Sequence, residues 1–286
     1  MKASTVAGWD LSYDRSERCP TRNGGELYFE TYGEGPPLVL LNNFFIIAPA
    51  WRNFTARLRE QCTIVTYDLQ NQGGSSQPGA SFPFSGHVTD VVDLLDRLEL
   101  EDAYLLGTSV STLIARDVAL SHSERVRGLI QVGPAYSPFG TLRYRLLIKD
   151  WRARLEAGGP LALFNYLYPL VFSDRAVEEG GRATYLGLRE RFLALNSQEQ
   201  IEACLAGAVE AEDATPPPHP TLLMIGDGDA FWSPTTMAAA RAAQPATKGV
   251  VIAESGHLPF AEQTSAFEAA VLDFVGETEP TLASAR

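Results

Sequence analysis

Ser109 lies in Leu105-Leu106-Gly107-Thr108-Ser109-Val110-Ser111, an apolar strand pattern that ends at small residues and runs into a helix-like stretch. This stretch departs from G-x-S-x-G only in its second glycine, replaced by Ser111, which is small enough for a helix to approach the strand closely. A serine on such a turn is lifted above its sheet and can serve as a nucleophile; the plainer reading is a helix N-cap. A nucleophilic serine needs a base, and His257 in Glu254-Ser255-Gly256-His257-Leu258-Pro259-Phe260 directly follows a predicted strand, on the same carboxyl-end face. His87 near a helix start, His122 at a helix end and His219 in a proline-rich linker have structural or solvated settings. The imidazole in turn needs a carboxylate to orient it and to stabilise its protonated form. Ile225-Gly226-Asp227-Gly228-Asp229 offers two. Asp229 is the choice, because the loop must run a few residues past its strand before turning back toward the histidine. Asp227 is the rival, and either aspartate could cap the turn before Ser233-Pro234. The chain order Ser, Asp, His is one of the recurrent orders of such triads.

Positioning these residues requires a sheet. Glu26 to Tyr32 reads as a strand and the Gly33 to Pro37 turn as the tip of an edge hairpin. Leu38 to Leu41 is a short continuous apolar run, the pattern of a central strand buried on both faces. Strand-like and helix-like segments then alternate: a helix over about 50–59, a strand at 63–67, a helix over about 86–98, a strand at 103–106, a helix over 109–121 and a strand at 126–132. That rhythm predicts βαβ units in a doubly wound, mostly parallel sheet. From Tyr136 to about residue 212 no buried strand is evident, and helical stretches such as 142–155 and 161–168 replace it. The alternation resumes after Pro216-Pro217-Pro218 with a strand at 221–225, a helix over 235–243, a strand at 250–253 and a last helix over about 260–275. The expected organisation is an N-terminal extension over 1–23, a core in two parts over 24–135 and 213–286, and a helical insertion over 136–212.

Bulk properties exclude several function classes. Lys and Arg total 23 against 35 Asp and Glu, a net charge of −12 that repels phosphate backbones, so nucleic acid is not an expected partner. The apolar stretch from Leu38 to Trp51 is interrupted by Asn42, Asn43 and Pro49, too short for a membrane span. Residues 1–20 lack a basic segment leading into an apolar one, so a cytoplasmic location is expected. The 3 cysteines, Cys19, Cys62 and Cys204, are widely spaced outside any metal-binding pattern and read as reduced thiols. No HExxH, P-loop or GxGxxG after a strand signals a metal or an organic cofactor, and none is expected.

Taken together, the three chemical segments resemble the α/β-hydrolase fold superfamily over about residues 24–275. Tyr67-Asp68-Leu69-Gln70-Asn71-Gln72-Gly73-Gly74-Ser75-Ser76 is similar to that family's D-x-x-G-x-G-x-S loop, and Ser121-His122-Ser123-Glu124-Arg125-Val126 to its link into the sixth strand. The resemblance implies an eight-stranded-type sheet and makes the insertion a helical cap. It also implies an oxyanion hole from the backbone N–H groups of Phe44 and Val110. Asn42-Asn43 stands where many relatives have His-Gly, and Asn43 in the glycine position calls for a left-handed or otherwise unusual backbone. Serine rather than aspartate at 109 argues against dehalogenase and epoxide-hydrolase chemistry and for acyl chemistry. The expected walls of the pocket include Asn42, Asn43, Phe45, Tyr136, Phe164, Tyr168 and Trp232, although cap aromatics more often form lid core. Their character favours a hydrophobic acyl or polyketide-like small molecule. Arg143, Arg145, Lys149, Arg152 and Arg154 form a basic helix, either a solvated face or a dock for an acyl carrier protein. The expected activity is cofactor-independent hydrolysis of an ester, thioester or lactone. Acyl transfer, or elimination of a carboxylate in natural-product biosynthesis, is the alternative, and a silent ligand-binding protein the third reading.

Overall fold

A computed structural model describes residues 11–13, 17–209, 216–244 and 246–279. Its described strands form one eight-stranded sheet in the order β1-β2-β4-β3-β5-β6-β7-β8. In chain order these are β1 (Arg18–Pro20), β2 (Glu26–Tyr32), β3 (Pro37–Leu41), β4 (Thr63–Tyr67), β5 (Ala103–Thr108), β6 (Val126–Val132), β7 (Thr221–Gly226) and β8 (Thr247–Ile252). The β1–β2 and β2–β4 pairs are antiparallel, and every pair from β4 to β8 is parallel. Strands β3, β5 and β7 are buried at every position, so their apolar runs carry no polar alternation. Helices α1 (Gly86–Arg97), α2 (Ser111–Ser121), α6 (Pro234–Ala243) and α8 (Thr264–Thr278) connect or follow the parallel strands, with a four-residue α7 (Pro259–Glu262) between. The strand order reverses between β3 and β5, which opens a crevice at their carboxyl ends, where open sheets of this kind bind ligands.

Several local expectations differ from the structure. The segment from Glu26 to Leu41 is not a hairpin: β2 pairs with β4, which lies between it and β3. Continuous burial of β3 requires neighbours on both edges, and these are the parallel strands β4 and β5. The sheet begins at Arg18, inside the expected N-terminal extension. Residues 50–59 form no α-helix but two 3₁₀ turns, Ala48–Asn53 and Leu58–Glu60. Thr55 between them donates its hydroxyl to Trp51 O, a local bond that competes with helix continuation.

Between β6 and β7 lie α3 (Leu142–Val171), α4 (Asp174–Leu195) and α5 (Gln198–Val209). Helix α3 bends where Gly158 and Gly159 leave helical geometry, Gly159 at φ +67°, and Pro160 follows as the first residue of the second half. The expected boundary at 212/213 falls outside the described residues. Apolar side chains of this helical segment, among them Trp151, Phe164 and Leu205, belong to the same buried cluster as Leu38 and Leu105 of the sheet. Among the described residues no helix is long and apolar enough to cross a membrane.

Candidate active site

Ser109 occupies the turn between β5 and α2 with φ +53°, a left-handed conformation rare for a residue with a Cβ and therefore imposed by its surroundings. The expected helix start at Ser109 shifts accordingly to Ser111, and the N-cap position falls to Val110, which makes no side-chain cap. Ser109 N–H still donates to Val132 O at 2.9 Å, extending the β5–β6 ladder to Ser109. Ser111, in place of the motif glycine, crosslinks the turn: its Oγ accepts from Thr108 N and donates to Leu41 O, both at 2.9 Å. Gly107 cannot be replaced so freely, since a Cβ there would lie 2.8 Å from Ser111 O and Thr112 Cα. Val110 opens α2, where first-turn N–H groups lack intrahelical acceptors.

The histidine loop follows β8. His257 Nδ1 lies 2.9 Å from Asp229 Oδ2, and both side chains are nearly or wholly removed from solvent. Asp229 Oδ1 is held by Phe231 N at 2.7 Å and Trp232 N at 3.1 Å, so the carboxylate is fixed from its own loop. Asp227 is engaged elsewhere. It accepts from Ser255 N, and the backbone N–H groups of Glu254 and Ser255 hold its carboxyl below the usual range. Below the imidazole sits Gly133 at φ +54°, where a Cβ would come within 2.5 Å of His257 Cε1. The ring edge of Phe231 packs on the imidazole at 4.8 Å between centroids. His87 instead is buried between Phe82 and Phe84, and His219 faces Ser123.

Ser109 and His257 line one crevice of only about 10 Å³ together with Asn43, Phe44, Phe45 and Phe231. Two larger cavities share walls with it. One of about 300 Å³ is lined by Tyr136, Arg143, Asp229, Phe231 and Trp232. The other, about 60 Å³ and mostly apolar, is lined by Phe44, Phe45, Phe164, Phe192 and Leu258 among others. The expected pocket residues thus divide, and two of them leave the pocket altogether. Tyr168 packs within the helical segment against Phe164, Phe172 and Tyr185 and lines none of the described cavities. Asn42 is wholly buried and its amide is spent: Nδ2 donates to Asp68 Oδ1 and Gln72 Oε1, and Oδ1 accepts from Trp51 Nε1. Asn43 does not take the left-handed backbone that glycine would. Its side chain braces the loop, donating to Thr108 Oγ1 and accepting from Phe45 N at 2.7 Å.

Gln72 is a residue that sequence reasoning passed over. Its Nε2 donates to Asn43 O at 2.6 Å and Ile46 O at 3.1 Å, clamping the loop that carries Phe44. Only its place in the Asp68 to Ser76 loop hinted at a role. The basic helix also reads differently in three dimensions. Arg143 donates to the carbonyls of Ala230 and Phe231, Arg154 pairs with Asp150 at 2.7 Å, and Arg152 lies 3.9 Å from Glu202. Among the described residues no group of three or more His, Cys, Asp or Glu side chains converges as a metal site would.

A model of the alpha/beta hydrolase family matches residues 43–270. The pimeloyl-[acyl-carrier protein] methyl ester esterase of Yersinia enterocolitica is 25% identical over 266 residues, 88% of this chain and 98% of that one. A thermophilic esterase from Thermogutta terrifontis superimposes with a TM-score of 0.82 at 23% identity, over 93% of this chain and all of the other. The enol-lactonase of Burkholderia xenovorans LB400 gives 0.76 at 20% identity, over 91% of this chain. At such identities the two solved structures bear on the fold.

Proposed function

The chain belongs to the alpha/beta hydrolase family, and from that premise we propose that it hydrolyses a carboxylic ester or lactone of a small hydrophobic molecule, with Ser109, His257 and Asp229 as its triad. The observation that carries this reading is the buried 2.9 Å contact between His257 Nδ1 and Asp229 Oδ2 in a loop that places the imidazole on the crevice of Ser109. Ser109 Oγ attacks the carbonyl carbon while His257 Nε2 takes the hydroxyl proton, and Asp229 stabilises the imidazolium. The carbonyl oxygen, now negative, accepts from the N–H groups of Phe44 and Val110. Collapse of this intermediate breaks the bond to the leaving oxygen, which takes the proton from His257 and leaves an acyl group on Ser109. Water then attacks the acyl carbon as His257 accepts its proton. The second collapse returns that proton to Ser109 Oγ and releases the carboxylic acid.

The cavities suggest how substrate lies. The mostly apolar 60 Å³ cavity behind Phe44 and Phe45 suits the acyl group, and the 300 Å³ cavity beyond Phe231 suits the departing alcohol. The Yersinia and Aeromonas relatives named for a pimeloyl-carrier ester favour an acyl chain as substrate. The same relatives support a carrier protein as partner, and of the basic helix Arg152 and Arg154 face Glu202 and Asp150 while Arg143 donates only to backbone carbonyls.

A fluorophosphonate probe tests the mechanism. Wild type is expected to be labelled at Ser109, and Ser109→Ala to lose labelling and at least about 10³-fold in kcat. An active but unlabelled enzyme, or a Ser109→Ala variant that keeps most of its turnover, would replace this reading with base-catalysed elimination by His257.

A further inference from the structure

Helix α4 turns Leu188, Arg191, Phe192 and Leu195 toward the 60 Å³ cavity, positions three or four apart on one helical face. On such a face an apolar residue is expected at each position, and position 191 carries a guanidinium instead. Its Nη1 is buried and has no hydrogen-bond partner. The fold treats other arginines differently: Arg52 meets Glu30, Arg116 meets Asp117 and Arg127 meets Asp102. Among the described residues no carboxylate pairs with Arg191. Arg191 as a whole is half-buried, and apart from Asn196 the cavity that its Nη1 meets is lined mainly by apolar side chains, Phe44, Phe45, Phe54, Phe164 and Phe260 among them, which offer that nitrogen no hydrogen bond. A buried donor left open in an apolar cavity next to a nucleophile is arranged for an acceptor that arrives with the ligand.

We propose that Arg191 determines acyl specificity by binding an anionic end group, a carboxylate, on the far end of the acyl chain. The substrate class is then the half-ester of a short dicarboxylic acid. Planar carboxylate matches the guanidinium fork, and the pair forms where water is scarce. The cavity sets the length of the chain, since about 60 Å³ has room for roughly four to six water-sized groups, a few carbons and a head group. Phe44, Phe45 and Leu258 line both this cavity and the Ser109 crevice, so the chain runs from the reacting carbonyl past these side chains to Arg191. The assignment of the reacting end rests on the hydrolase reading above; that of the anion site does not.

Two measurements test it. In the first, methyl hexanoate and monomethyl adipate, equal in acyl length and different in the distal charge, are compared by kcat/KM at low salt. Wild type is expected to prefer monomethyl adipate by about tenfold or more, chiefly through KM. Arg191→Leu, which gives position 191 the residue type its face otherwise carries, removes that preference, and Arg191→Lys retains part of it. Parity of the two esters in wild type, or an unchanged preference in Arg191→Leu, overturns the proposal. In the second, adipate binding is measured by calorimetry on Ser109→Ala and on the double variant with Arg191→Leu. Binding to the first and at least tenfold weaker binding to the second supports the site, and equal binding overturns it. The calorimetric arm needs no turnover, so it separates failure of the Arg191 site from failure of the hydrolase mechanism.

Discussion

Asp68 organises the loop that carries Phe44. Its two oxygens accept from Ala48 N, Asn42 Nδ2, Gly74 N and Tyr13 Oη, all at 2.7 to 3.1 Å. Burial nevertheless pushes its carboxyl up from 3.8 to about 6, because the loss of hydration outweighs those four donors. The folded protein therefore holds the Asp68 proton more tightly than the unfolded chain does. Between about pH 4 and pH 6 the folded state binds more protons, so the contribution of this group to stability is complete below about pH 4. It is lost as pH rises through about 6. The expected loss is on the order of 3 kcal/mol. Urea unfolding of wild type and Asp68→Asn at pH 4 and pH 7 measures it: wild type is expected to lose stability relative to the variant on going up. A difference that stays constant or grows with pH contradicts this account of the site.

At the scale of elements, the histidine loop and the junction of α3 with α4 are tied together. The last carbonyls of a helix have no helical acceptor role to fill, and Val171 O at the end of α3 takes the His257 N–H at 2.9 Å. Glu262 at the end of α7 completes the link. One of its oxygens accepts from Gly256 N at 2.9 Å, and the other from Ser173 N and Ser173 Oγ at the start of α4. Ser173 also caps the start of α4 by accepting from Ala176 N, so one side chain opens a helix and anchors the loop of His257. Glu262→Ala cuts three of these bonds and frees His257 to drift from Ser109. The expected result is a fall in kcat of about 10²-fold with a smaller change in KM. Glu262→Gln, which keeps one acceptor oxygen, should fall between. Unchanged kcat in Glu262→Ala would show that Glu262 does not position His257.

At the scale of the molecule, the sheet and the helical insertion share one buried cluster, from Leu38 and Leu105 to Trp151, Phe164 and Leu205. An insertion with its own core could open or melt separately; one whose apolar faces are completed by the sheet cannot. Thermal unfolding followed by near-ultraviolet and far-ultraviolet circular dichroism should therefore give one coincident transition. Two separated midpoints would mean that the insertion is a domain in its own right.

Much of what depends on neighbours along the chain was legible in the sequence alone, although the local Thr55 bond that breaks the 50–59 helix was not. The strands at 63–67 and 126–132 and the helix from Gly86 followed from apolar runs and periodicity, and the Ser109 turn from small residues within one strand-to-helix step. Strand order was not legible. The Gly33 to Pro37 turn has the local chemistry of a hairpin, yet β4, 22 residues beyond β3, inserts between β2 and β3 because it completes the burial of both. Asp229 and Asp227 are indistinguishable by type, and only the fold of their loop brings one to His257 and turns the other to Ser255. Asn42 reads as a pocket residue beside the nucleophile until Asp68, Gln72 and Trp51 take up its amide. Nothing in the sequence singles out Arg191, and only the packing of α4 sets it on the apolar cavity. Local sequence sets backbone preference over a few residues, whereas the partner of a buried polar group is chosen by the packing of the whole chain, which alone decides where water is excluded.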